Sequence, residues 1–355
     1  MALMKYDADI VKKIAGEVGV SVSSVYKIMK NPMGFSPETV KKVRLAAIKY
    51  SKTDVGAAGN KEEAKKVYRI GVIIPNKPMY FWKEAVEGFK KSKNMWQNLL
   101  KCEINLIYRY YTTPVNGYEL DRLYKELLGE RLDGCILFPV KKTECKRFIR
   151  NLDGIPLIIF NDLQVDISEF SNAAYIGADN YDEGNKAGMI VAEQPRRMNQ
   201  IIILVTEDSM NSESIRRRIN GFKNKIREVN PESELDEVFL PLEGKTTASA
   251  FAEKIFKFYE KADVDCIYVS SGITHVACDA VCKISKKLGR MPSTIVVGHE
   301  VSPSDKKYIL SGLQIGYIKQ NMYLQSTAAL DEIMTCLISH RNPEPCLYKS
   351  SVFIR

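Results

Sequence analysis

A short stretch near the start of the chain, GVSVSSVYKIMKN at residues 19–31, combines many hydrogen-bonding side chains with regularly spaced aliphatic residues. The aliphatic spacing of three and four is typical of a helix that buries one face, formed here by Val25, Ile28 and Met29. The residues left on the other face are Ser23, Ser24, Tyr26 and Lys27. Their hydroxyls and ammonium group suit the phosphates and base edges of DNA. A solvated helix in an ordinary three-helix unit would show the same pattern, so both interpretations stay open.

A second group of chemically active side chains lies late in the chain, at His275, Asp279, His299 and Glu300. Such residues suit a metal site or an acid–base site, but they come from separate segments without HExxH spacing. The sequence also has no P-loop, GxSxG elbow or GxGxxG turn, and its eight cysteines form no CxxC pair. We therefore predict a protein that is not an enzyme, that uses no metal or cofactor, and whose cysteines are reduced in a cytoplasm.

Length and charge indicate separate structural units. The 355 residues exceed what one hydrophobic core normally organises, which favours two or three units. The formal net charge is +9, and residues 1–66 hold 13 Lys and Arg against 7 Asp and Glu, a balance of +6. The remaining residues share only +3. A small basic unit on a nearly neutral body indicates that this unit binds a polyanion. A solvated surface helix could give the same excess of basic residues.

Three helical patterns occupy the first part of the chain. The first runs from Ile10 to Val18 and stops at Gly19, and the second is the stretch described above. The third, SPETVKKVRLAAIKY, begins with Ser36 as the N-cap and Pro37 in the first helical position. These patterns predict a helix-turn-helix domain over residues 1–52. A polar, Gly-containing linker is predicted over residues 53–67.

The remaining chain alternates strand and helix patterns. Near-continuous apolar runs occur at YRIGVIIP, DGCILFPV, IPLIIFND, QIIILVT, DCIYVSS and TIVVGHE. Such runs, separated by helical stretches, are typical of parallel strands covered on both faces, so the predicted class is α/β and doubly wound. A body of this size, residues 68–355, favours two lobes with a ligand site at the carboxyl ends of the strands. No run is long enough for a membrane span, and we expect neither secretion nor membrane insertion.

The order of these motifs resembles the lactose-repressor family of bacterial transcription regulators over nearly the whole chain. GVSVSSVYKIMKN resembles the recognition helix of that family, and SPETVKKVRLAAIKY resembles its third helix. YIGADNYDEGNKAG and RRRINGF resemble segments of its sensor, which is similar to periplasmic sugar-binding proteins. The resemblance implies a first lobe of about 68–178 and 319–340, and a second lobe of about 179–318 and 341–355.

The resemblance also implies which residues contact DNA. Val22, Ser23 and Lys27 match the positions that read bases, while Ser21, Ser24 and Tyr26 flank them near phosphates. A lysine donates to guanine as a point charge, so it is less selective than a bidentate arginine. One departure lies in the linker, where Lys61 stands about where the family has a leucine that wedges the minor groove. We therefore expect the linker to stay flexible without DNA.

For the sensor, the resemblance implies an effector site that suits a sugar or a related polyol. The matching positions are Phe81, Trp82, Asn161, Arg218, Ser271, Glu300 and Gln320. Phe81 and Trp82 match aromatic positions that sandwich a sugar ring, although packing in the core is the alternative for both. Asn161 and Ser271 are equally consistent with caps at strand ends. Because SSGITH replaces the usual Asn-Asp after the fifth sensor strand, His275 is a further residue that we expect in the cleft.

The sequence thus predicts a cytoplasmic, ligand-responsive transcription regulator. Two copies of the chain form a homodimer that binds a pseudo-palindromic operator in double-stranded DNA, and a small sugar-like effector modulates the affinity. The first alternative is a solute-binding protein of a sugar transport system, which would have no use for residues 1–50. An enzyme on the same fold is the second alternative.

Overall fold

The computed structural model describes residues 8–30, 35–51, 66–206, 212–241 and 247–355. Three helices come first: α1 (Ala8–Val18), α2 (Val22–Lys30) and α3 (Pro37–Ser51). We call these helices the head. They pack around an apolar core of Val11, Ile14, Ala15, Val25, Ile28, Val43, Ala46 and Ala47. The linker predicted over residues 53–67 falls almost entirely outside the described residues.

Side-chain caps begin two of these helices. The Ser21 hydroxyl accepts a hydrogen bond from the Ser24 N–H at 3.0 Å, and the Ser36 hydroxyl accepts one from the Thr39 N–H at 3.1 Å. Such caps satisfy N–H groups that have no partner within the helix. Gly19 adopts a φ of 74° between α1 and α2, where a residue with a Cβ would be strained. The Ser36 cap and the glycine turn agree with the sequence pattern.

A first α/β lobe follows the head. Its elements are β1 (Val67–Pro75), α4 (Met79–Leu100), β2 (Glu103–Tyr111), α5 (Gly117–Leu128), β3 (Gly134–Leu137), α6 (Lys142–Asn151), β4 (Leu157–Phe160) and β5 (Ala173–Ala178). The second lobe contains α7 (Asn180–Ala192), β6 (Gln200–Thr206), α8 (Glu213–Val229), β7 (Glu234–Leu240), α9 (Ala248–Tyr259), β8 (Cys266–Val269), α10 (Thr274–Leu288), β9 (Ile295–His299), α11 (Lys306–Ser311) and β10 (Gln314–Lys319). The chain then returns through α12 (Met322–Ser339), β11 (Cys346–Tyr348) and β12 (Ser351–Ile354).

Each lobe is built on a six-stranded sheet. The first has the order β11-β5-β4-β3-β1-β2 with all strands parallel, and the second has the order β12-β10-β9-β8-β6-β7. Among the described strands of the second sheet, β12 alone is antiparallel to its neighbour. The central strands are buried along their whole length because helices cover both faces of each sheet. The predicted α/β class with mainly parallel strands is confirmed.

In the part of the chain that the structure describes, three segments cross between the lobes: after β5, after β10 and after β11. The last crossing corrects one boundary, because residues 341–355 were predicted to lie in the second lobe. Residues Cys346–Tyr348 instead pair with β5 and complete the first sheet, and only β12 joins the second sheet. The short strand carries polar neighbours and no continuous apolar run, so the sequence pattern gives no sign of it.

Two helices of the second lobe pack unusually closely. A Cβ at Gly184 in α7 would overlap the carbonyl oxygen of Arg218 in α8. A Cβ at Gly221 in α8 would overlap the carbonyl oxygen of Tyr181. The glycines therefore bring the two helix backbones together, which places Arg218 beside α7. Within the described ranges, no helix is long and apolar enough to cross a lipid bilayer.

Candidate ligand site between the lobes

A cavity of about 370 Å³ lies between the two lobes at the carboxyl ends of their parallel strands. This position follows from the topology, because loops from the same edge of each sheet face one another there. A larger groove of about 860 Å³ opens beside it, lined by exposed residues such as Lys141 and Lys142. We place the ligand site in the smaller cavity because buried polar side chains line it, whereas the groove has a mainly exposed rim.

Most of the residues predicted from the sequence meet in this cavity. Those lining it are Phe81, Trp82, Asn161, Arg218, Ser271, Glu300 and Gln320. His275 is the exception, and its predicted place in the cleft is wrong. It lies in the first turn of α10 with its Nδ1 atom 4.0 Å from Asp305 Oδ1, outside the cavity lining. From this position the His275 side chain faces the segment that follows β9.

The aromatic pair does not form the predicted sandwich. The rings of Phe81 and Trp82 contact each other edge to face, with centroids 5.2 Å apart and an interplanar angle of 90°. Trp82 is only 5% exposed, packs edge to face on Phe138, and donates its Nε1–H to the Lys77 carbonyl oxygen at 3.0 Å. No sugar ring fits between two rings already in contact. Trp82 therefore belongs mainly to the core of the first lobe, and Phe81 is the more exposed ring of the pair.

Amide side chains form the floor of the cavity where the chain enters α12. The Asn161 Nδ2 group donates to Gln320 Oε1 at 2.6 Å and to Gln325 Oε1 at 3.0 Å. Asn161 follows β4 and adopts a φ of 66°, a conformation that Asn tolerates better than most residues. The end of the first sheet is thereby tied to the second crossing between the lobes. Planar amides of this kind suit the hydroxyl groups of a small polyol.

A buried ion pair lies behind these amides. Arg218 Nε donates to Glu183 Oε2 at 2.7 Å, and its Nη1 group donates to the Ser270 carbonyl oxygen at 3.2 Å. Glu183 is fully buried and also accepts hydrogen bonds from the Ser350 hydroxyl and from Gln320 Nε2, the latter at 3.3 Å. Burial opposes the charge on Arg218, but Glu183, together with Tyr268 and Asp162, outweighs burial and raises the pKa of the guanidinium. Arg218 therefore presents a fixed positive charge to the cavity.

Two neighbouring residues at the end of β9 have strongly shifted pKa values. Burial raises the pKa of the Glu300 carboxyl to about 8, against the opposing effect of a hydrogen bond from the Gln320 N–H at 2.7 Å. His299 is buried with its Nε2 atom 2.8 Å from the Tyr268 hydroxyl, and burial together with Arg218 holds its pKa well below the usual value. Near neutral pH the cavity thus contains a neutral imidazole and a carboxyl able to donate a hydrogen bond.

The sequence prediction missed several cavity residues that close the gap between the lobes. The Ser212 hydroxyl, at the start of α8, donates to Asp162 Oδ1 in the first lobe at 2.9 Å. The Leu163 N–H donates to the Ser214 hydroxyl at 3.4 Å. Tyr80 also lines the cavity, and burial followed by Asp305 and Glu300 raises its pKa to about 12. Asp162 is the second residue after the buried strand β4, and this was a usable signal, whereas nothing in the local sequence marks Ser212.

The residues predicted to contact DNA lie along α2 and its cap. Val22, Tyr26 and Lys27 are exposed, as are Ser21 and Ser23, while Ser24 is half-buried. The Ser21 hydroxyl lies 3.0 Å from that of Ser23 and 2.8 Å from that of Ser24. Val25 and Ile28 point into the head core. The polar face of α2 is thus mostly exposed, and its role in DNA binding remains a prediction.

Comparison with known proteins agrees with this architecture. Residues 70–338 match the model of the family described as a periplasmic binding protein domain. No curated protein sequence matches the chain. A candidate LacI transcriptional regulator from Bacteroides fragilis superposes with a TM-score of 0.66 at 16% identity, covering 81% of this chain and 97% of that one.

Two sugar- or polyol-binding proteins superpose equally well. GanP, a glucose-galactose binding protein from Geobacillus stearothermophilus, has a TM-score of 0.65 at 21% identity, covering 82% of this chain and 98% of that one. An ABC transporter solute binding protein from Bacillus halodurans C-125, with bound myo-inositol, has a TM-score of 0.64 at 16% identity, covering 83% and 96%. The TM-scores show a shared fold at low sequence identity, and the matching family model describes a binding-protein domain. Because the family model matches most of this chain, the chain belongs to the periplasmic binding protein domain family.

Proposed function

We propose that the chain binds a sugar or a related polyol in the cavity between its lobes. The observation that carries this proposal is the convergence of planar polar side chains, Asn161, Arg218, Glu300 and Gln320, on one cavity at the strand ends. Such groups supply donors and acceptors in fixed directions, which suits the ring of hydroxyls on a polyol. The half-buried ring of Phe81 adds an apolar face for C–H groups. The sugar and polyol ligands of similar structures support the same class.

We further propose that ligand binding controls a DNA-binding head. Three features support this step: the head has its own apolar core, α2 exposes a face of hydroxyls and one lysine, and residues 1–66 have a charge balance of +6. In a homodimer two such helices would read the two half-sites of a pseudo-palindromic operator. The structural likeness to a candidate LacI transcriptional regulator points the same way.

A solute-binding protein of a transport system is the second candidate function. Similar structures that are ABC transporter solute binding proteins favour it, and the cavity suits both functions equally. The two candidates differ only in whether the head binds DNA. The three-helix head has no purpose in solute capture, which is why we prefer a regulator.

One experiment separates the candidates. The full chain is selected against randomised double-stranded DNA, with and without a panel of D-glucose, D-galactose, D-arabinose and myo-inositol, and sugar binding is measured in parallel by calorimetry. A regulator yields a two-fold symmetric sequence motif. Sugar binding without any enriched DNA sequence would overturn the regulator and leave the solute-binding protein.

A pair of lysine variants then tests the assignment of the reading helix. Replacing Lys27 with alanine should relax selectivity at one position of each half-site by about 1 to 3 kcal/mol. The matched control is Lys13→Ala, an exposed lysine on α1 that our assignment places away from the bases. If both variants give the wild-type motif, Lys27 does not read a base.

A further inference from the structure

The head is held against the first lobe by an ion pair at a buried carboxylate. Arg44 of α3 donates from Nη1 to Glu332 Oε2 at 2.6 Å and from Nη2 to Glu344 Oε2 at 3.3 Å. The side chain of Arg44 is only 19% exposed and that of Glu332 only 2%. Charge-assisted bonds of this length in a partly dry site are stronger and less screened than surface ion pairs. The contact therefore fixes where α3 lies.

The receiving site exists independently of the head. Arg341 donates to both oxygens of Glu332, at 2.6 and 3.0 Å, and the Glu344 N–H donates to Glu332 Oε1 at 2.8 Å. The carboxylate is thus satisfied within the first lobe even when Arg44 is withdrawn. Loss of Arg44 accordingly removes the docking contact without leaving a buried charge unpaired. We call this group of residues, Glu332, Arg341 and Glu344, the acidic socket.

Apolar contacts surround the socket. Leu45 of α3 packs against the core of the first lobe, and a cavity of about 40 Å³ remains between α3 and that lobe. Trp96 lines this cavity beneath Arg44 and Leu45, with its Nε1–H donated to Asp331 Oδ1 at 2.9 Å. Among the two tryptophans of the chain, Trp96 therefore reports on the docked head, while Trp82 lines the ligand cavity.

The helix that carries the socket begins at the ligand cavity. Near its start, Gln325 accepts a hydrogen bond from Asn161 on the cavity floor, and Met322 Sδ contacts the same amide group at 3.3 Å. Glu332 follows seven residues later, a rise of about 10 Å at ~1.5 Å per residue. A shift of α12 at its first turn is transmitted to the socket because the helix is rigid over two turns.

We propose that α12 couples the ligand cavity to the head, with the acidic socket as the docking site for α3. The proposal rests on the proposed function, in which the head and the cavity act together. Docking leaves the polar face of α2 exposed, so the socket sets the position of the reading helix without blocking it. A ligand that moves Asn161 changes how well α3 docks, and by linkage the docking contact changes ligand affinity by the same factor.

The first test measures docking through Trp96 alone. In the full chain carrying Trp82→Phe, acrylamide quenching of Trp96 should increase severalfold when Arg44→Met is added, because α3 no longer covers the tryptophan. Arg122→Met, which breaks an exposed ion pair with Glu126, is the matched control and should leave quenching unchanged. Glu344→Gln should give an intermediate increase, since it removes the longer of the two Arg44 contacts. Equal quenching in the Trp82→Phe protein with and without Arg44→Met would overturn the docking site.

The second test measures transmission from the opposite end of α12. Asn161→Ala removes the hydrogen bonds to Gln320 and Gln325, and it should alter Trp96 quenching although it lies in the ligand cavity. Asn116→Ala, which removes the cap of α5 in the same lobe, controls for general loosening. If Arg44→Met changes quenching and Asn161→Ala does not, the head docks but α12 transmits nothing, and the coupling is refuted. Neither test uses DNA or sugar, so failure of the proposed function is detected separately.

Discussion

The ion pair between Arg218 and Glu183 gives the sharpest test of the cavity architecture. Glu183 is fully buried, and its carboxylate faces Arg218 Nε at 2.7 Å. Replacing Arg218 with methionine keeps most of the apolar stem but removes the positive charge. Among the described residues, Glu183 then keeps the Ser350 hydroxyl and Gln320 Nε2 as its side-chain hydrogen-bond donors.

The magnitude follows from what remains around the carboxylate. Breaking a buried ion pair by removing one partner typically costs about 3 to 5 kcal/mol, because the other charge stays buried without compensation. The two remaining hydrogen bonds favour the lower end, so we expect Arg218→Met to lower the free energy of unfolding by about 3 kcal/mol. Adding Glu183→Gln removes the stranded charge, and the double variant should recover part of this loss.

Urea denaturation followed by circular dichroism measures these differences. Arg216→Met is the matched control, since Arg216 lies on the same helix and forms a surface ion pair with Glu213. A surface pair of this kind contributes about 0 to 1 kcal/mol. If Arg218→Met and Arg216→Met destabilise the protein equally, the buried pair does not organise the lobe interface and the reasoning is refuted.

Three further predictions follow from the site and the fold. Glu300, with its pKa raised from 4.5 to about 8, takes up a proton on folding, so wild-type stability should fall as pH rises from about 4.5 to 8. Melting temperatures measured across this pH range should fall less for Glu300→Gln than for wild type. If the two proteins show the same fall, the argument from burial of Glu300 is contradicted. Phe81→Ala should weaken sugar binding in calorimetry, whereas Trp82→Phe should leave affinity nearly unchanged because Trp82 packs in the core. Gly221→Ala should cost about 1 to 3 kcal/mol of stability by pushing α8 from α7, while Gly16→Ala, which meets no atom within 4 Å, should cost nothing.

The strands visible in the sequence are those buried on both faces. The runs QIIILVT and TIVVGHE correspond to β6 and β9, where helices on both sides require continuous apolar residues. The edge strands were not visible, because β2 and β7 alternate polar with apolar residues and are partly exposed. Edge position depends on the order of strands in the sheet, which local sequence does not encode.

The site was predictable to the extent that it depends on strand ends. Asn161 and Glu300 directly follow buried strands, so topology alone brings them to the cavity. The orientation of Trp82 depends on its packing against Phe138, more than fifty residues away in the chain, and the predicted sandwich with Phe81 was wrong for that reason. The docking of Arg44 on Glu332 joins residues 288 positions apart and had no local signal.

Glu183 has a special place among these contacts because it touches all three crossings between the lobes. It lies just after the first crossing, accepts a hydrogen bond from Gln320 at the second, and accepts another from Ser350 at the third. Arg218 holds the same carboxylate from α8. A single buried anion thus joins the three connecting segments, and the cavity opens on one side of it.

The residues that we propose to bind the ligand come from both lobes. Asn161 belongs to the end of the first sheet and Arg218 to the second lobe, so the polyol that we propose as the ligand would contact both lobes at once. Because the three crossings are tied to Glu183, we expect relative motion of the lobes to be a rotation about this residue rather than a separation. Because α12 begins at the second crossing and ends beyond the acidic socket, any such rotation acts on the same helix that holds the head.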